Sequence, residues 1–67
     1  MTWTEVKIED YDFCLESGKW QIRRKGEQVG LWHYNYRIEW CNSVRHGMFI
    51  AWVLVLRKER ESRKAGG

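Results

Sequence analysis

From Trp32 to Trp40 every second residue is large and apolar: Trp32, Tyr34, Tyr36, Ile38 and Trp40 alternate with His33, Asn35, Arg37 and Glu39. Wound into a helix, the five large side chains scatter around the cylinder and leave no polar side. Extended, they form one wall, because side chains alternate across a strand with period two. The chain is therefore expected to build a sheet around this segment, with aromatics on one face and charges on the other.

The flanking sequence supplies further strands. Tyr11, Phe13 and Leu15 alternate with Asp12, Cys14 and Glu16, and Ser17-Gly18 reads as a two-residue hairpin loop. That loop sets Leu15 opposite Trp20 and Phe13 opposite Ile22, and pairs Glu16 with Lys19 and Asp12 with Arg23. The second strand runs over 19–25 and reaches the third through the segment from Gly26 to Gly30. Val6 and Ile8, alternating with Lys7 and Glu9, suggest a short extra strand or a lid.

From Met48 to Leu56 both strand faces are apolar: Ile50, Trp52, Leu54 and Leu56 on one, Phe49, Ala51, Val53 and Val55 on the other. Ser43 could cap a helix here, but the β-branched and aromatic content favours a fourth strand covered on both sides. The run is roughly half the length of a membrane-spanning helix. The reading is thus all-β: a small four- to five-stranded antiparallel meander or half-barrel over 1–56, with a charged, flexible tail, helical or coiled, over 57–67. Five Trp, three Tyr and two Phe imply an aromatic core. Tyr36→Asp should then unfold the domain. Trp3, outside any strong pattern, is the aromatic expected to lie exposed.

Sixty-seven residues leave little room for a buried active site, and no catalytic constellation is present, so binding rather than catalysis is expected and no cofactor is implied. Cys14, His33, Cys41 and His46 are zinc-ligand types, with Cys14 and His33 on one side of the expected sheet, but their spacing fits no compact zinc motif. The start carries neither the basic stretch nor the apolar run of a signal peptide, which makes a cytoplasmic location and reduced cysteines the expectation. The terminal Ala65-Gly66-Gly67 resembles the end of ubiquitin-like modifiers. Their β-grasp fold needs a helix where this chain has only the short segment from Gly26 to Gly30.

The net charge of +3 permits an acidic partner. The expected polar sheet face carries Arg23, Lys25, His33, Asn35 and Arg37; the expected fourth strand offers Phe49, Val53 and Val55. On size and the absence of catalytic residues, the sequence reads as a small protein-binding accessory or inhibitor of the kind phages and other mobile elements carry. Its partner would be an acidic protein surface, or a second copy docked through the fourth strand as a homodimer. Nucleic acid bound by the basic face and the tail cations Arg57, Lys58, Arg60, Arg63 and Lys64 is the alternative.

Overall fold

Two-residue turns at Gly18-Lys19, Gly26-Glu27 and Tyr34-Asn35 fall eight residues apart and cut the middle of the chain into strands of six residues. The computed structural model describes the backbone of residues 1–66 and the side chains of residues 1–60; Gly67 and the side chains of Arg63 and Lys64 lie outside the described residues. The elements are β1 (Thr4–Val6), β2 (Phe13–Ser17), β3 (Trp20–Lys25), β4 (Gln28–His33), β5 (Tyr36–Cys41) and α1 (Val44–Gly66). The strands form one antiparallel meander in the order β1-β2-β3-β4-β5, with α1 packed on β3, β4 and β5. The sheet is an open meander, not closed into a barrel.

Each turn has a local cause. Gly18 and Gly26 take φ of 61° and 60° at the first loop position, the glycine-first pattern of a type II′ hairpin. Tyr34 and Asn35 both take positive φ, 53° and 66°, the type I′ pattern. The first loop is Gly18-Lys19 rather than Ser17-Gly18, so Leu15 faces Ile22 and Phe13 faces Arg24. Every partner moves by two residues, which keeps each side chain on its expected face.

The turn at Tyr34-Asn35 corrects the single third strand. The alternating run is two strands folded back on each other, with His33 opposite Tyr36 and Trp32 opposite Arg37. The ladder then shifts between Leu31 and Trp32, leaving Ile38 as an extra residue in β5 and placing Trp40 opposite Gly30. Without that bulge Trp40 would turn to the helix side. With it, Trp32, Arg37 and Trp40 share the side of the sheet away from α1, so aromatics and charges are not segregated.

Residues 48–56 are helical, which overturns the fourth strand. Ser43 Oγ accepts the His46 N–H at 3.1 Å and the Ser43 carbonyl accepts the Gly47 N–H at 3.1 Å, while His46 Nδ1 accepts the Asn42 N–H at 3.1 Å. This capped start fixes the helix. Gly47 and Ala51, one turn apart, let it approach closely: a Cβ on Gly47 would come within 3.2 Å of Ile22 Cδ1. Val53 and Val55 cost a helix only a few tenths of a kcal/mol each, less than the cap and this packing return.

Beneath α1 the most buried side chains are aliphatic rather than aromatic, while Trp32, 8% exposed, is buried on the other side of the sheet. Leu15, Ile22, Val29, Leu31 and Ala51 form the core there, with Trp3, Phe13, Trp20, Cys41 and Met48 packed around. Trp3 is half-buried against this cluster, correcting the expectation that it lies exposed. Tyr36, carried to the helix side by its pairing with His33, is 76% exposed.

Candidate functional site

Two surfaces on opposite sides of the sheet stand out. The first is the open face. Trp32 is 8% exposed and sits between Arg23, whose guanidinium carbon lies 4.8 Å from its ring centroid, and Trp40, which meets it edge-on at 6.3 Å. Arg23 also lies 5.4 Å from the Tyr11 ring, and Arg37 lies 4.3 Å from the Trp40 ring. Arg23 is held in place by neutral acceptors, Gln21 Oε1 from its Nε at 3.0 Å and Asn35 Oδ1 at 3.4 Å, which orient the guanidinium.

Together Tyr11, Arg23, Lys25, Gln28, Trp32, Arg37 and Trp40 line a small cleft of about 150 Å³. Among the described residues it holds three cations and no carboxylate. Enclosed small-molecule sites are typically about 300–1,000 Å³, so this is a platform rather than a pocket.

The second surface is the side of α1 turned away from the sheet. Phe49 and Trp52 are 58% and 50% exposed, and with Val53 and Leu56 they occupy positions i, i+3, i+4 and i+7, one continuous stripe. Gly47 and Ala51 lie on the buried side. At the level of Val53–Leu56 four consecutive residues, which circle the helix completely, are all half-exposed, so the sheet covers no side of this turn fully. Arg57 and Arg60 border Val53 and Leu56 in a small concavity. The helix sequence carries six Lys and Arg against two Glu, leaving six against seven in the rest of the chain.

Of the residues expected on the polar sheet face, Arg23, Lys25 and Arg37 come together on the open side, and Asn35 reaches Arg23 from the turn. His33 does not join them. It belongs to the helix side, stacked on Trp20 at 3.9 Å. Cys14, paired with Arg23, faces the open side, so Cys14 and His33 are on opposite faces rather than the same one. Phe49 and Val53 fall on the exposed stripe, whereas Val55 lies nearly half a turn away from Val53 around the helix. Trp32 and Trp40 belong to the aromatic wall, a base-stacking candidate that alternation assigns to the core, and Trp52 and Leu56 to the other face of the expected fourth strand. For Trp52 and Leu56 the signal was available in the spacing 49, 52, 53, 56.

Both thiols are free, and burial pushes each above its ordinary pKa; Glu39 adds to the effect at Cys41. Among the described residues no cluster of three His, Cys, Asp or Glu is placed to hold a metal, and no helix is long and apolar enough to cross a membrane. No protein-family model, curated protein or solved structure matches the chain.

Proposed function

We propose that this protein is a protein-binding module that inserts the exposed stripe of α1 into an apolar, acid-rimmed groove of a larger partner, acting as an accessory or inhibitor of it. The observation that carries this reading is the exposure of Phe49 and Trp52 at the head of an i, i+3, i+4, i+7 series whose opposite side is fixed to the sheet. That series is the anchor spacing of helix-in-groove recognition. Fully burying one such side chain is worth about 1.5–3 kcal/mol, so two aromatics with Val53 and Leu56 support a specific interface.

Charge decides between a partner and a second copy. An antiparallel helix pair centred on the stripe sets Arg45 of one copy against Arg60 of the other, and a parallel pair sets each cation against itself. Either juxtaposes like charges, whereas acidic residues around a groove would meet Arg45, Arg57 and Arg60 favourably. Strand addition at β5 is disfavoured because that edge is interrupted by the bulge at Ile38 and carries Arg37 and Glu39.

The reading is tested by light scattering and partner capture. Purified protein should be monomeric at high concentration, and a partner retained by the native chain should be lost from the Phe49→Asp/Trp52→Asp variant while its thermal melt is retained. A dimer that dissociates in this variant would replace the partner with a second copy.

A further inference from the structure

The open face of the sheet has a different chemistry from the helix stripe, and the protein-binding reading leaves it unused. Its cleft combines half-exposed Trp40, Tyr11 and the guanidinium planes of Arg23 and Arg37 with Lys25 and the amide of Gln28, and among the described residues no carboxylate lines it. We infer that this face binds an unpaired nucleic-acid strand, with a base stacked on the exposed part of Trp40 and flanking phosphates held by Arg23, Lys25 and Arg37.

Three features favour a strand over other anions. A flat anionic protein surface would be served by the cations alone, but here each arginine is set against an aromatic ring, 4.8 Å from Trp32 and 4.3 Å from Trp40, which presents planar stacking surfaces beside fixed positive charge. The cleft, at about 150 Å³, is too small to enclose a free nucleotide. Duplex DNA hides its bases, so the aromatic part of the site would go unused on it. The arrangement also follows from specific backbone events: the turn at Tyr34-Asn35 and the bulge at Ile38 are what bring Arg37 and Trp40 onto the side of Arg23.

The probe is a mixed-sequence single-stranded 12-mer titrated into the full chain, followed by tryptophan fluorescence and by anisotropy of an end label. Quenching is expected, with binding that weakens as salt rises at a slope of about −2 in log–log form, from three phosphates at about −0.7 each. Trp40→Ala should weaken binding tenfold or more, and Lys25→Glu/Arg37→Glu should abolish it; all three positions are exposed, and an unchanged thermal melt separates this from misfolding. AMP, the same sequence as duplex, and polyglutamate are the comparison arms, each expected to bind at least tenfold more weakly. AMP bound as tightly as the 12-mer would make this a nucleotide site. Equal binding of duplex or polyglutamate, or a Trp40→Ala variant that binds like the native chain, would overturn the stacking role and with it the proposal.

Discussion

The indole of Trp32 lies across the backbone of Gly30: a Cβ at residue 30 would stand 2.5 Å from Trp32 Cζ3 and 2.7 Å from Cη2. Only glycine leaves room for the ring to lie flat between Arg23 and Trp40, so the open face depends on one hydrogen atom. Gly30→Ala is expected to cost about 1–3 kcal/mol in urea unfolding through displacement of the indole. In a Trp32→Val background the same change should cost less than half as much. Equal costs in both backgrounds would mean that the ring does not rest on Gly30.

Ile22 takes the core place that alternation suggests for it, and Tyr36 does not. Tyr36→Asp should leave the melting temperature within a few degrees, because the ring is 76% exposed. Ile22→Asp should abolish the folded signal in circular dichroism, because it buries a charge beneath Gly47 with no partner, beyond what a domain of this size can absorb.

The helix start rests on Ser43. Ser43→Ala removes the acceptor of the His46 N–H and should destabilise the protein by about 1 kcal/mol, while Ser43→Asp should restore most of the loss. Parallel urea titrations of the three proteins measure it.

Burial raises the pKa of Cys14, so the neutral thiol is the form the fold favours. A group whose folded pKa exceeds its unfolded one contributes its full stability below the ordinary thiol value of about 8.5 and loses it as pH rises through the raised value. Urea midpoints should therefore hold up to about pH 8 and fall above it, with the fall reduced in Cys14→Ala. Alkylation of the native protein by iodoacetamide at neutral pH should be far slower than in urea; equal rates would contradict the burial of this thiol.

Much of the sheet was legible because strand period and glycine turns are local signals. Gly18 and Gly26 mark two of the three turns, and the apolar alternation of Phe13 and Leu15 correctly assigns their face. The third turn carries no glycine: it uses Tyr34 and Asn35 at positive φ within an unbroken alternating pattern, so nothing in the hydrophobic period announces it. The bulge at Ile38 is equally silent, and it reverses the side on which Trp40 lies. The open-face site was hidden for that reason. In 48–56, wholly apolar composition fits either a buried strand or a helix; the cap at Ser43 and the small pair Gly47 and Ala51 decide for the helix. The surplus of apolar surface there was legible, and only its geometry was not.

A photo-crosslinking residue placed at position 52 tests the proposed docking through α1 most directly, with the same residue at exposed Glu27 as control. Irradiated in a lysate of the cell that makes the protein, position 52 should yield a discrete product whose mass is not twice 8.2 kDa, and position 27 should not yield it. A product of twice that mass would put a second copy on the stripe, and no product from position 52, or the same products from both positions, would contradict α1 as the binding surface.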